Sequence, residues 1–121
     1  MACPCGGKEY AACCEPCHRG LHAPDAQRLM RARYSAYVLK LEDYLLATWH
    51  ASTRPANLDL SSDAGKWLGL EVKCFEVQSA DAATVEFVAR YKLAGRAQRL
   101  HELSRFVREE GRWFYVDGDF L

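Results

Sequence analysis

The chain is poor in cysteine everywhere except at its start. Of six cysteines in 121 residues, five are Cys3, Cys5, Cys13, Cys14 and Cys17, and Cys74 stands alone. Net charge is also lacking, with 16 basic residues against 16 acidic ones, so whole-molecule attraction to nucleic acid or to an anionic membrane gets no support. No apolar run is long enough to span a bilayer. The opening Met1-Ala2-Cys3-Pro4-Cys5-Gly6-Gly7 has neither the basic start nor the apolar stretch of a secretory signal. A cytoplasmic setting is therefore the expectation. Thiols stay reduced there, which turns a cysteine cluster toward metal or redox chemistry and away from a disulfide framework. No nucleophile triad, phosphate-cradling glycine loop or dinucleotide fingerprint occurs, and no internal repeat.

What is present is a patterned chain, 50% hydrophobic and long enough for one compact domain. Cysteine use divides it at about residue 24, into a knuckle over 1–24 and a main domain over 25–121. Asp25 is a helix N-cap residue type. After it, Met30, Tyr34, Tyr37, Val38 and Leu41 recur at helical spacing, with Arg28, Arg31 and Arg33 mostly off that stripe and Arg31 and Arg33 read as solvated or salt-bridged. A break near Lys40–Asp43 is expected, with Asp43 capping a short second helix through Trp49. Residues 50–66 read as a loop.

The period then changes to two. Trp67–Gln78 places Leu68, Leu70, Val72 and Cys74 on one face, which predicts a buried Cys74, and Glu71, Lys73, Phe75 and Val77 on the other. Thr84–Leu93 sets Phe87, Ala89, Tyr91 and Leu93 against Glu86, Val88, Arg90 and Lys92. Leu100–Arg108 and Arg112–Asp117 follow, joined at Glu110-Gly111, with Gly95 marking the turn before them. Helices followed by four strands on short turns predict an α+β fold, with the helices covering one face of an antiparallel meander.

Cys3-Pro4-Cys5-Gly6 puts two thiols on one tight turn, and Cys13-Cys14 closes the loop after seven intervening residues. Four thiolates in so short a segment suit tetrahedral zinc, with iron not excluded by ligand softness. Cys17 and His18 are reserve ligands. A redox pair fits less well, because Cys3 and Cys5 are separated by one residue and not two. The segment is too short to bury much apolar surface by itself, so bound metal would stabilise it.

The run Cys3-Pro4-Cys5-Gly6-Gly7-Lys8-Glu9-Tyr10, with Cys13-Cys14, resembles the SEC-C knuckle best known from the tail of the translocase ATPase SecA. The usual pattern has one more residue between the second and third ligands. The resemblance implies Cys3, Cys5, Cys13 and Cys14 as the ligands and a protein or ribosomal partner for the knuckle. Five further stretches resemble the YchJ family of uncharacterised bacterial proteins: Leu29-Met30-Arg31-Ala32-Arg33-Tyr34-Ser35-Ala36-Tyr37, Thr48-Trp49-His50, Trp67-Leu68-Gly69-Leu70, His101-Glu102-Leu103-Ser104-Arg105-Phe106, and Gly111-Arg112-Trp113-Phe114-Tyr115-Val116-Asp117-Gly118. That resemblance implies a nuclear-transport-factor-two-like cone: helices packed into a curved four-stranded antiparallel sheet around a pocket.

In such a cone His50, Arg90 and Glu102 are the candidate ligand-binding groups. Glu102 sits on a strand face with Leu100, Ser104 and Phe106, as a base with a raised pKa or as the partner of Arg90, and the ion pair is preferred. Tyr34, Tyr37, Trp49 and Trp113 read as core, which predicts a small, largely filled interior. The leading functional expectation is a non-catalytic binding protein whose zinc knuckle docks to a macromolecular partner. The alternative is an enzyme or small-molecule carrier that uses the cavity. Nucleic-acid binding ranks last, because Lys8, Arg19, Arg28, Arg31 and Arg33 are offset by Glu9, Glu15 and Asp25.

Overall fold

A computed structural model describes residues 1–60 and 65–121, so residues 61–64 of the expected loop lie outside the described chain. Asp25 does cap the main helix. Its backbone is extended and its carboxylate accepts the Arg28 backbone N–H at 2.7 Å, satisfying one open donor of the first turn. The helix that follows a short knuckle helix α1 (Glu15–His18) is α2, Ala26–Leu39. It ends at Lys40 in the left-handed region, φ 59°, whose N–H bonds back to Ala36 and Tyr37 carbonyls. The break falls where expected, but α3 is Glu42–Ala47, with Leu41 as its cap residue. Asp43 lies inside the first turn, where its charge faces the positive helix end without capping it.

Four strands follow: β1 (Lys66–Ser79), β2 (Ala82–Leu93), β3 (Arg96–Glu109) and β4 (Arg112–Phe120), paired antiparallel in chain order. Ala94-Gly95 and Glu110-Gly111 form the last two connections, and all four residues have positive φ. Two central residues with positive φ make the primed turn whose twist matches the flanking strands, and glycine takes one of the two places without steric cost.

Helix α2 runs across the sheet and contacts β1, β2 and β4 on one side, α1 and α3 on the other. That sandwiching buries residues around most of its circumference, including Leu29, Met30, Arg33, Tyr34 and Ser35. Phe87 and Phe106 rise from the sheet into the same core. So do Cys3, Cys5, Cys14 and Cys17, and the knuckle shares its interior with the helix and sheet. The residues after α3 are stitched to β4: Tyr115 N–H donates to Thr48 O at 2.9 Å, and His50 N–H donates to Tyr115 O at 2.7 Å.

Strand β1 departs from simple alternation. Its register against β2 shifts at Leu68, Lys73 and Gln78. Each extra residue reverses which face the next side chain takes. Cys74 therefore lands opposite Glu86, on the face away from the helices, and is exposed. The burial expected for it does not occur. Phe75 moves the other way, opposite Val85, and packs against the core. Leu68 sits at a bulge and is exposed. Among the described residues no helix is long and apolar enough to cross a membrane.

Candidate functional site

The knuckle gathers its thiols through backbone geometry. Cys3 N–H donates to Gly7 O at 3.1 Å and Gly6 N–H donates to Cys3 O at 3.0 Å, closing the turn that carries Cys3 and Cys5. Gly6 has φ 106°, open to glycine and strained for other residues. Gly7 answers a different need: a β carbon there would lie 2.6 Å from Cys13 Sγ and 3.3 Å from Cys3 Cβ. The Sγ atoms of Cys3, Cys5, Cys13 and Cys14 all lie within 4.8 Å of one another. A tetrahedral metal with bonds of about 2.3 Å sets its sulfurs about 3.8 Å apart, so this donor set fits a metal ion with small adjustments.

Neighbours on α2 hold the cluster. Ser35 Oγ–H donates to Cys14 Sγ at 3.2 Å and lies 3.6 Å from Cys3 Sγ. Arg28 Nη2 donates to Cys14 Sγ at 2.9 Å, and Arg31 Nη1 donates to Cys5 O at 3.3 Å. The Cys5 thiol is lowered to about 4, first by hydrogen bonding from Cys14, with the Gly7 backbone and the Cys13 and Cys3 thiols adding to it against burial. Cys14, the donor in that bond, is pushed up, and burial raises Cys13 to about 11. The thiols are tied to one another by hydrogen bonds, and a bound cation would replace their protons.

The reserve ligands sit elsewhere. Cys17 is buried but outside the cluster of four. His18 is engaged at both nitrogens, Nε2 with Ala32 O at 2.8 Å and Nδ1 with Tyr10 Oη at 2.7 Å. A carbonyl only accepts, so Nε2 carries the hydrogen and Nδ1 of the neutral ring accepts from the tyrosine. Burial lowers the His18 pKa accordingly.

A second feature lies between α2 and the sheet. A cavity of about 260 Å³ is lined by Met30, Arg33, Tyr34 and Tyr37 of α2, by Trp67 of β1, Phe87 and Ala89 of β2, Leu100, Glu102, Ser104 and Phe106 of β3, and Tyr115 of β4. The expected filled interior is therefore corrected. The aromatic bulk lines the space without closing it, because Trp67 stacks edgewise on Tyr34 at 5.6 Å and lies 5.5 Å from Tyr91, holding it along the wall.

The polar groups of this cavity converge on one side. Glu102 Oε2 accepts from Ser104 Oγ at 2.5 Å and from Tyr115 Oη at 3.3 Å. Burial raises the Tyr115 and Tyr37 phenols. Arg33, which the sequence placed at the surface, is buried. Its Nη1 donates to Leu45 O and Thr48 Oγ1, both at 2.8 Å, and its guanidinium stands 5.0 Å from the Trp49 ring and 4.7 Å from that of Tyr115. Its burial lowers its pKa. The clue to Arg33 was its spacing, three residues after Met30 and four before Tyr37, in phase with the apolar stripe.

Of the three groups expected around a ligand, only Glu102 reaches the cavity. Arg90 is exposed, paired in register with Gly69 and Arg99, and belongs to the opposite sheet face from Phe87, which is the partner of Glu102. Strand alternation forbids the Arg90–Glu102 ion pair. His50 points outward and bonds Ser52 Oγ at 2.6 Å and Glu109 Oε2 at 2.8 Å.

The model of the YchJ middle, NTF2-like domain matches residues 25–118. A UPF0225 protein of Methylibium petroleiphilum is 60% identical over 121 residues, covering 98% of this chain and 88% of that one. A UPF0225 protein of Chromobacterium violaceum is 62% identical over 124 residues, covering 97% and 91%. The solution structure of a SEC-C motif containing protein from Rhodopseudomonas palustris superposes with a TM-score of 0.87 at 35% identity, covering 100% of this chain and 99% of that one. The crystal structure of a SEC-C motif containing protein from Psychrobacter arcticus gives 0.84 at 31% identity, covering 97% and 81%. The chain belongs to the YchJ family of UPF0225 proteins, with a SEC-C-like cysteine knuckle set ahead of an NTF2-like domain.

Proposed function

We propose that the protein binds a small molecule in the cavity between α2 and the sheet, as a carrier or an enzyme. One observation carries this reading: a space of about 260 Å³ with mostly apolar walls, within which the Glu102 carboxylate accepts from Ser104 and Tyr115. Apolar walls with a few converging polar groups are the physical signature of a ligand site. Calorimetric titration with the neutral probe 4-phenylbutan-1-ol tests it. Ala89 is buried and lines the space, so Ala89→Leu should remove the binding heat while leaving the far-ultraviolet spectrum unchanged. An unchanged binding isotherm in Ala89→Leu would refute the assignment.

In this reading the knuckle is a structural centre. Its ion would be zinc, with iron the alternative, since a closed set of four thiolates leaves no position for a reacting group. A reducing cytoplasm suits it, because the thiols must stay unoxidised. Docking of the knuckle to a protein or ribosomal partner is the second reading, supported by the exposure of Lys8, Arg19 and Leu21. It ranks lower because the cysteines themselves face inward against α2. Pull-down with the intact chain and with a Lys8→Glu, Arg19→Glu variant tests it. Equal capture by both would count against it.

A further inference from the structure

We propose that the ligand of the cavity is a small primary amine with an apolar body, its ammonium held by Oε1 of Glu102; this rests on the cavity being a binding site. The two donors that reach Glu102 inside the cavity, Ser104 and Tyr115, both bond Oε2. Among the described residues nothing bonds Oε1, and no lysine or arginine forms an ion pair with Glu102. Among the described residues no buried side-chain oxygen lacks a partner, so Oε1 is open to the space that Glu102 lines, and an incoming N–H group can reach it there.

The obvious internal cation is directed elsewhere. Arg33 uses Nη1 on Leu45 O and Thr48 Oγ1 and lays its guanidinium against the Trp49 and Tyr115 rings. It lines the same cavity and is drawn to Glu102 only weakly, behind Tyr37, Tyr115 and Tyr44, while the Tyr115 hydroxyl turns to Glu102. The rest of the enclosure also favours a cation. Tyr34, Trp67, Phe87 and Phe106 line the space, and aromatic faces attract an ammonium through their quadrupoles. An anionic ligand would instead share about 260 Å³ with the Glu102 carboxyl. That volume lies just under the range of roughly 300–1,000 Å³ usual for ligand pockets, so the molecule is small.

A matched series separates the ligand class from the existence of the site. Calorimetry with 4-phenylbutylamine, 4-phenylbutan-1-ol and 4-phenylbutyrate keeps the apolar body and changes only the head group. The amine should bind about tenfold more tightly than the alcohol, as one charge-assisted hydrogen bond provides, with the acid weakest. Glu102→Gln keeps an acceptor for Ser104 and Tyr115, and should bring the amine down to the alcohol. Ser104→Ala retains the carboxylate and should keep the preference. Independent of any variant, the ¹³C resonance of Glu102 Cδ should move with the amine and stay with the alcohol. Equal binding of amine and alcohol, tighter binding of the acid, or an amine preference surviving in Glu102→Gln overturns the amine assignment and leaves the cavity reading standing. If none of the three probes binds, both fall.

Discussion

Gly118 of β4 lies under the carboxyl of Glu102 so closely that a β carbon there would sit 2.8 Å from Glu102 Cδ. The same β carbon would come within 2.9 Å of the Leu103 carbonyl oxygen, which belongs to the backbone and cannot yield. The missing side chain is therefore what lets the carboxyl stand where Ser104 and Tyr115 can reach it. Gly118→Ala should push Glu102 off these partners and destabilise the fold by about 1–3 kcal/mol, the usual cost of overpacking. Urea unfolding measures the loss, and a wild-type midpoint in Gly118→Ala would contradict this account of the glycine.

Ser35 is the α2 residue that touches two of the knuckle sulfurs. Hydrogen bonds to ligating groups tune metal affinity, typically by about 10–100-fold. Ser35→Ala should therefore weaken metal retention by roughly that factor while keeping all four thiols. Competition against a colorimetric chelator reads the change. Retention equal to wild type would remove Ser35 from any supporting role.

Stripping the metal, or replacing Cys3 by serine, should lower the thermal midpoint by about 3–8 °C without abolishing cooperative unfolding. The reason is where the cysteines sit. Cys3, Cys5 and Cys14 share one core with Leu29 and Met30, so loosening the knuckle loosens the first turns of α2. The sheet and the rest of α2 still close their own interior around Phe87 and Phe106. Differential scanning calorimetry distinguishes the outcomes: no shift would detach the knuckle from the core, and a lost transition would make it indispensable.

His18 supplies a pH dependence. Burial lowers its pKa, so the folded protein binds this proton less readily than the unfolded chain does. Its contribution to stability is fully present above the unfolded value, near 6.5, and is lost as the pH falls from there toward the lowered folded value. The denaturant midpoint should accordingly fall between about pH 7 and pH 5.5. The slope should be smaller in His18→Gln, which keeps a donor for Ala32 and takes no proton. Metal release by acid affects both proteins alike, so the difference between their profiles isolates the histidine. Identical profiles would contradict the assignment.

Local chemistry was legible in the chain itself. Asp25 could be read as a cap because capping needs only one carboxylate and the next three residues, and the hairpin at Glu110-Gly111 because positive φ is a property of a dipeptide. The thiol cluster was legible for the same reason: its four members lie within twelve consecutive positions, 3 to 14. The alternation of β3 also placed Glu102, Ser104 and Phe106 on one face, where the cavity finds them. What needed the tertiary structure was everything set by register and by opposing surfaces. The extra residue at Lys73 exchanged the faces of Cys74 and Phe75 relative to Leu70 and Val72, and nothing in a period-two pattern announces it. Arg90 was separated from Glu102 by the pairing of β2 with β3, a relation between strands and not within one. Arg33 looked like a surface arginine until Leu45, Thr48, Trp49 and Tyr115 closed over it from two other elements. The cavity belongs to the same class. It exists because α2 and the sheet are held apart by the aromatic side chains along their walls, and that distance is fixed by packing between segments remote in the chain.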